Sequence, residues 1–393
     1  RILHRGLPMP NANANVLRGA NRLLVDAVAG TTDLVEAVHA SILQLPRRIA
    51  GLPSRNSTGG IAGLVYSTVR GIARVAGTGM DLALQRLPAT DADAAPNPRR
   101  EALIAVLNGV VGDRLAETGN PLAITARLRQ RGRALALQPA ALAKAFPDAR
   151  PRILVMVHGL CMNDLQWRQG GHHHGVMLAR ELGYDLVHLH YNTGLSIAAN
   201  GRQLSALLQS LTDVWPVAIE RIAIVGHSMG GLVARAAITA AQADASPWLG
   251  RLDTLTTLGT PHLGAPLERA GHLLEGLLGI SAHSAPFRAL GRMRSAGIQE
   301  LRHGSAHATH PPLPAHVRVH LVAGSLQPPP RQPSKRHPRG DGLVPVASAF
   351  GEHPDPRRRL PVAGTHKLLV HATGHLALLG SNEVHARLQH WLA

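Results

Sequence analysis

The sequence predicts an α/β fold, with a mainly parallel sheet and helices on both faces, preceded by an N-terminal helical region. From residue 151 onward, apolar runs of strand length alternate with helical periodicity. The run 152–157 is almost wholly apolar, as expected of a strand buried on both faces. Hydrophobic residues make up 45% of the 393 residues, which is enough for a large core. We therefore expect two parts, a helical region at 1–150 and a sheet-forming domain at 151–393.

The composition restricts the classes of partner. Lysine and arginine number 41 against 24 acidic residues, and the formal charge of +17 suits anionic partners. Aromatic residues make up only 3%, so the stacking platforms that bind single strands are scarce. An arginine-rich and alanine-rich composition also arises from genome base composition, so the positive charge alone does not indicate an anionic partner. We therefore expect no nucleic-acid partner.

The number of cysteines and the length of the apolar runs restrict the disulfides, the membrane spans and the cellular location that we expect. The single Cys161 excludes an internal disulfide and a thiolate metal cluster. The longest apolar region, 61–84, is interrupted by charged residues and does not predict a membrane span. The sequence begins at Arg1 rather than Met. We favour a cytoplasmic or membrane-associated location, and secretion would require a signal peptide that had been removed.

The N-terminal region shows helical spacing in four segments. The predicted helices cover 23–45, 57–87, 101–115 and the stretch from Pro121 to Leu128. Three roles remain open: a cap over the active site, a structural appendage, or an amphipathic surface in peripheral contact with a membrane. Arg70 and Arg74, placed among small and apolar residues, favour the membrane interpretation.

The second part alternates strands and helices in the order of a parallel sheet. An insertion at about 262–312 separates two late strands and is predicted to overhang the site as a lid. The predicted strands are 152–157, 185–191, 221–225, 252–258, 317–322 and 367–370, and the helices are 176–182, 200–214, one beginning after Ser228, and 377–391.

The sequence Gly226-His227-Ser228-Met229-Gly230-Gly231 follows a strand and precedes a helix. This is the context of a nucleophile elbow, in which a serine stands at the apex of a strained turn. Side chains at the flanking positions would collide with the strand and the helix, which explains the glycines. We predict Ser228 as a nucleophile.

A serine hydroxyl needs a base, and the base needs a carboxylate that orients it. Asp341 lies in the loop after a late strand, on the side of the elbow, whereas Asp253 stands near the beginning of its strand. Among the late histidines His366, His371 and His375, the position after the last strand favours His375, with His371 as the alternative.

An acyl-transfer site also needs donors for a tetrahedral oxyanion. We predict the backbone N–H groups of Met229, next to the nucleophile, and of Leu160, in the loop after the first parallel strand. Cys161 lacks an elbow and is predicted to be a buried wall residue. The residues assigned to substrate binding flank these motifs: His158, Gly159, His227, His262 and Leu263.

Two histidine groups are candidate metal ligands. Three adjacent residues, 172–174, would point in different directions on a helix and therefore suit one ion poorly. His188 and His190 share a strand face but have no evident carboxylate partner. We assign no metal ligands and no cofactor, and a metal requirement stays open.

Taken as a set, the motifs resemble the α/β-hydrolase superfamily, and within it bacterial lipases and esterases and the lipase-like GPI inositol-deacylase group. The elements that carry the likeness are the elbow, the His158-Gly159-Leu160 loop, the segment 258–266, the segment 341–345 and His375. The resemblance implies a Ser228/Asp341/His375 triad, an oxyanion hole from Leu160 and Met229, and carboxylic ester substrates. It spans about 152–393 and does not cover 1–150.

The predicted function is hydrolysis of acyl or lipid esters through an acyl-enzyme, on a small-molecule or lipid ester substrate. The apolar residues Leu160 and Leu263 favour acyl chains over charged substrates. Two alternatives remain: an acyltransferase that uses the same triad, and a protein that binds lipid or polyester granules.

Overall fold

The computed structural model describes residues 18–19, 21–22, 97–265, 295–301, 312–330 and 338–393. The helices predicted at 23–45 and 57–87, together with most of the predicted lid at 262–312, lie outside these residues. The chain divides into two compact units, one comprising 1–95 with 117–122 and the other 96–116 with 123–393. The sheet and the candidate site belong to the second unit.

The described residues contain one eight-stranded sheet. The strands are β1 Arg127–Gln130, β2 Arg133–Ala134, β3 Arg152–Val157, β4 Asp185–His190, β5 Arg221–His227, β6 Leu252–Leu258, β7 Arg318–Gly324 and β8 Lys367–Val370. Their order in the sheet is β2-β1-β4-β3-β5-β6-β7-β8. Strands β3 to β8 pair in parallel, and β1 is antiparallel to both β2 and β4.

Helices follow most of the parallel strands. They are α1 Pro98–Glu117, α2 Pro139–Ala145, α3 His174–Leu182, α4 Ile197–Val214, α5 Met229–Ala243, α6 Ala296–Leu301, α7 Val346–Ala349 and α8 Asn382–Leu392. Serine side chains cap two of them: Ser196 accepts from the Ala199 N–H at the start of α4, and Ser381 accepts from the Val384 N–H at the start of α8.

The helices cover both faces of the sheet. On one face, Val225 of β5 packs in a core shared with Leu178 of α3 and Leu388 of α8. Side chains alternate along a strand, so Ile224 points to the opposite face, where it is fully buried. On that face α5 approaches β6, since a Cβ on Gly231 would lie 2.9 Å from the Thr257 methyl. This arrangement confirms the predicted α/β fold, with a mainly parallel sheet and helices on both faces.

The structure corrects the predicted helix from Pro121 to Leu128. Turn residues occupy 121–123, and β1 begins at Arg127. Leu128 is buried in the sheet, whereas its two arginine neighbours are partly exposed, which is the alternating pattern of a strand. Sheet structure therefore begins before the predicted boundary at residue 150.

In the described part of the chain, no helix combines the length and the apolar character that a membrane crossing requires.

Candidate active site

Ser228 occupies a strained turn between β5 and α5. Its φ of 52° and ψ of −124° fall in a region that residues with a side chain rarely adopt. The Ser228 N–H donates to the Leu258 carbonyl (2.9 Å), and the Thr260 hydroxyl donates to the Ser228 carbonyl (2.9 Å), so the neighbouring strand holds the turn. A Cβ at Gly230 would collide with the Val157 carbonyl oxygen. The glycine therefore permits the helix to begin directly beneath β3.

Asp341 and His375 form a buried hydrogen-bonded pair. His375 Nδ1 lies 2.7 Å from Asp341 Oδ2, and the two residues are 4% and 3% exposed. Asp341 Oδ1 accepts from the backbone N–H groups of Leu343 (3.0 Å) and Val344 (2.8 Å). Both carboxylate oxygens are thus engaged, and His375 Nε2 is the nitrogen left to face a substrate or a nucleophile.

This pair lies against the elbow. The His227 and His375 rings are 4.7 Å apart between centroids, and His227 Nε2 is 3.2 Å from the His375 carbonyl oxygen. A Cβ on Gly259, which follows the Leu258 carbonyl that binds Ser228, would lie 3.1 Å from His375 Nδ1. The structure therefore brings Ser228, Asp341 and His375 to the same end of the sheet.

The alternatives to this pair lie elsewhere. His371 Nδ1 is 3.3 Å from the Gln327 carbonyl oxygen, close to the surface, and His366 precedes β8. Asp253 stands at the beginning of β6, where it accepts from Arg318 at 2.6 Å and lies 3.7 Å from Arg221. In parallel strands this is the edge opposite the elbow.

The loop after β3 runs beside Ser228. A Cβ on Gly159 would lie 3.0 Å from the Ser228 Cβ. The Tyr191 hydroxyl donates to the His158 carbonyl (2.8 Å), and the Cys161 N–H donates to the Thr193 hydroxyl (3.2 Å), which fixes the loop.

The two predicted oxyanion donors lie on this loop and at the start of α5. Within the described part of the chain, neither the Leu160 N–H nor the Met229 N–H donates a hydrogen bond to a protein group. Met229 is the first residue of α5, where backbone donors have no intrahelical acceptor. Both amides can therefore serve an incoming anionic oxygen.

Cys161 is a buried wall residue. Its side chain is 1% exposed, and burial raises the pKa of the thiol to about 12, so it stays protonated at neutral pH. A Cβ at Gly109 would collide with the Cys161 sulfur. This close approach places α1 directly against the loop that carries Leu160.

The residues assigned to substrate binding differ in their surroundings. His158, His227 and His262 are at most 1% exposed. The His158 ring stacks on Tyr191 at 4.5 Å, and burial lowers the pKa of His158 to about 3. His262 Nε2 is 3.1 Å from the Thr257 hydroxyl. These side chains contact protein groups, and Leu263, which is partly exposed, is better placed to contact a ligand.

A partly buried ion cluster, which the sequence did not predict, supports the same loop. Arg129 of β1 lies 2.8 Å from Glu101 of α1 and 3.0 Å from Asp164, which follows the loop 158–161. Burial alone would raise the pKa of Asp164, but the hydrogen bond with His190 and the charge of Arg129 lower it below its ordinary value. His190 therefore has a carboxylate partner, at 3.5 Å, contrary to expectation.

The histidines at 172–174 are arranged differently from the prediction. His173 turns away and accepts from the Val176 N–H at the start of α3. His172 Nε2, however, lies 2.8 Å from His174 Nδ1. The backbone at His173 is extended (φ −151°, ψ 100°) rather than helical, so its two neighbours project to the same side.

A family model described as "Putative serine esterase (DUF676)" matches residues 148–300. No curated protein matches the chain. The chain is similar to the mature lipase BlEst2 of Bacillus licheniformis, with 18% identity over 61% of this chain and 91% of that one, and a TM-score of 0.41. It is also similar to the RedJ thioesterase of Streptomyces coelicolor (16% identity, 63% and 86% coverage, TM-score 0.40). A third similar structure is an esterase from Thermogutta terrifontis, with 17% identity over 62% of this chain and 90% of that one, and a TM-score of 0.36.

The family match includes the elbow and the loop with Leu160, and it ends before Asp341 and His375. The likeness to the GPI inositol-deacylase group stays a prediction. The predicted resemblance to serine esterases is confirmed for residues 148–300, which the family model matches.

Proposed function

We propose that the protein is a serine carboxylic ester hydrolase that works through an acyl-enzyme. Ser228 is the nucleophile, His375 the general base and acid, and Asp341 the group that orients the imidazole. The observation that carries the proposal is the buried 2.7 Å contact between His375 Nδ1 and Asp341 Oδ2, beside a serine held at a strained turn.

The reaction has two halves. Ser228 Oγ attacks the ester carbonyl carbon while its proton passes to His375 Nε2, and the Leu160 and Met229 N–H groups stabilise the oxyanion. The tetrahedral intermediate expels the alcohol, which takes the proton from His375. A water molecule then gives a proton to His375 and attacks the acyl carbon. Collapse releases the carboxylic acid and returns the proton to Ser228.

The surroundings favour an uncharged acyl group. The buried apolar side chains next to the nucleophile are those of Leu160, Cys161 and Met229. The helix α6 lies close above, since a Cβ on Gly297 would be 3.2 Å from Met229 Cε. A wall of this kind binds an alkyl chain by removing its surface from water, at about 25 cal/mol per Å².

We propose that α1 and α6 cover the acyl side of the site. For α1 this is the cap over the active site, one of the three roles considered for the N-terminal region. The Ser295 hydroxyl, just before α6, donates to the Gly109 carbonyl of α1 (2.6 Å), and Asp113 accepts from the Ala296 N–H (2.9 Å). Glu300 accepts from the Ile197 N–H of α4 (2.6 Å). These bonds connect α6 to α1 and to α4.

The test uses the full chain with p-nitrophenyl esters of graded acyl length and a phosphonate ester as a covalent label. We expect burst kinetics, label on Ser228, and a loss of kcat of about a million-fold in Ser228→Ala. His375→Ala is compared with His371→Ala, a late histidine outside the pair. Full activity in Ser228→Ala, or equal losses in the two histidine variants, would refute the assignment.

The same experiment separates the two alternatives. An acyltransferase would give more transfer product than acid when an alcohol acceptor is added. A granule-binding protein would sediment with lipid or polyester granules to the same extent as its Ser228→Ala variant. A profile of activity against acyl length, with and without an oil interface, separates a lipase from an esterase.

Membrane contact through the N-terminal helices stays a prediction on residues outside the described part of the chain. The measurement is flotation of the full protein with vesicles containing anionic lipid, and with neutral vesicles as the control. Absence of the protein from the floated anionic fraction would remove this role.

A further inference from the structure

Three histidines from two separate segments meet at one end of the sheet domain. His172 and His174 flank the start of α3, and His385 lies in α8. One ring nitrogen from each of the three lies within 4.8 Å of the other two. The His172 ring is 4.5 Å from that of His174 and 5.2 Å from that of His385, between centroids.

The other nitrogen of two of these rings is already engaged. His174 Nε2 lies 2.9 Å from the Leu378 carbonyl oxygen, and His385 Nε2 lies 3.0 Å from Glu181 Oε2. In both rings Nδ1 is therefore the nitrogen that remains available to a ligand. Metal-binding histidines are oriented in the same way, because a carbonyl or carboxylate holds the N–H opposite the ligating nitrogen.

Hydrogen bonding among the three side chains does not satisfy the cluster. His172 Nε2 and His174 Nδ1 are 2.8 Å apart and can share one proton. His385 Nδ1, however, is buried and has no hydrogen-bond partner. The residue is 9% exposed, so water has little access to this nitrogen. A buried acceptor without a partner destabilises the folded state unless a further group binds it.

We propose that His172 Nε2, His174 Nδ1 and His385 Nδ1 bind one Zn²⁺ ion. Zinc–nitrogen bonds of about 2.0–2.1 Å in a tetrahedron separate the ligand nitrogens by roughly 3.3 Å, so shifts of about an ångström close the site. Three neutral imidazoles suit Zn²⁺ better than Ca²⁺ or Mg²⁺, which prefer oxygen ligands. His172 is only partly buried, and a water molecule completes the coordination from that side.

The site would connect the segment before α3 to the C-terminal helix. His174 also contacts Leu378, which lies in the turn 377–380, three residues after His375. A bound ion would therefore hold the turn that follows the proposed base. The ion has no part in the ester chemistry proposed above, and its binding is measured independently of activity.

The experiment titrates the metal-stripped full-length protein with Zn²⁺ by calorimetry, and repeats the titration with Co²⁺ to record its visible d–d absorption. We expect one equivalent of Zn²⁺ and the absorption of a four-coordinate Co²⁺ site. His172→Ala and His385→Ala should each weaken binding at least 100-fold, and Glu181→Gln about 10- to 100-fold. His390→Ala, an exposed histidine on the same helix, is the matched control and should bind as the wild type does.

A second measurement guards against misfolding of the variants. One equivalent of Zn²⁺ should raise the Tm of the wild type and of His390→Ala, and leave that of His172→Ala unchanged. His172 is the most exposed of the three ligands, so its variant keeps the packed core. Wild-type protein that binds no stoichiometric Zn²⁺ would overturn the site, as would undiminished affinity in both ligand variants. Loss of binding in His172→Ala with full esterase activity supports the site and leaves the proposed function intact.

Discussion

The segment that carries Asp341 and His375 is held largely by its own hydrogen bonds, whereas the loop that carries Leu160 is held by distant elements. Asp341 accepts from two backbone N–H groups within three residues, and its own carbonyl accepts from the His375 N–H (3.0 Å). The other loop depends on the Tyr191 hydroxyl and on α1, which contacts Cys161 through Gly109.

This difference indicates which substitutions should lower kcat alone and which should also lower the stability of the fold. On the base side, a change in Asp341 alters the orientation and charge of one imidazole and little else. On the oxyanion side, a change in α1 or β1 acts through packing and charge at a distance. We therefore expect losses of kcat without loss of stability on the base side, and both losses together on the oxyanion side.

The largest effect is expected from Asp341→Asn on the base side. The amide keeps an oxygen for the Leu343 and Val344 N–H groups, but it no longer provides the charge that holds the imidazole. We expect kcat to fall about 10⁴-fold, with little change in KM or Tm. The measurement is steady-state kinetics on a p-nitrophenyl ester, with thermal unfolding alongside. A comparable kcat for Asp341→Asn and wild type would show that the pair does not act in catalysis.

The next effect tests the buried cluster on the oxyanion side. Arg129→Met leaves Glu101 and Asp164 without their shared cation, and breaking a buried ion pair costs about 3–5 kcal/mol of the free energy of unfolding. Urea unfolding measures this loss. Arg127→Met is the matched control on the same strand, since its Nε donates to the Thr125 carbonyl near the surface. Equal losses in the two variants would mean that the cluster does not support the loop.

A smaller effect is expected from Gly109→Ala in α1. The methyl group collides with the Cys161 sulfur, so the helix or the loop must shift, at a cost of about 1–3 kcal/mol. Displacement of the Leu160 N–H should lower kcat by about tenfold. Gly250→Ala is the control, because a Cβ there meets no atom within 4 Å. A drop in stability with unchanged kcat would separate α1 from the oxyanion loop.

The same contrast explains what the sequence could predict. The bounds of β3, β6 and β8 match their predictions. Strands β3 and β8 are short, mainly apolar runs, and β6 begins and ends on leucine directly before Gly259. Ser228, Asp341 and His375 could be chosen because strand order fixes which loops share an edge of the sheet. These signals come from single loops and strand ends, which can be read directly from the sequence.

The rest depended on contacts between residues far apart in sequence. Strand β1 is four residues long and pairs with β4, some sixty positions later, which no periodicity in 121–128 indicates. Arg129 gains its role from Glu101 and Asp164, on two other elements. The histidines at 172–174 were assumed to be helical, and an extended backbone instead directs two of them towards His385. Pattern alone does not reveal such partners.

The smallest effect on stability at neutral pH is expected from two buried histidines, His188 in β4 and His320 in β7, whose strands lie on either side of β5 in the sheet. Burial lowers the pKa of His188 in β4 to about 4, and burial together with the charge of His366 lowers that of His320 in β7 to about 3. In the unfolded chain both titrate near 6.5, so below that pH the unfolded state binds more protons than the folded state. The free energy of unfolding therefore decreases as the pH is lowered.

Each such histidine costs about 1.4 kcal/mol per pH unit below 6.5, until the folded-state pKa is reached. His320→Phe removes one of them, and the new ring can keep the stacking on Trp391, which lies 4.3 Å from the His320 ring. Both His320 ring nitrogens are buried without hydrogen-bond partners, so no bond is lost. Urea unfolding between pH 7.5 and 5 gives the free energy of unfolding at each pH. Its slope against pH should be smaller in His320→Phe, by the equivalent of up to one bound proton. Above pH 7 the slopes of the two proteins should differ little. An unchanged slope would mean that His320 takes up its proton in the folded protein, and that acid sensitivity belongs to the β4 side alone.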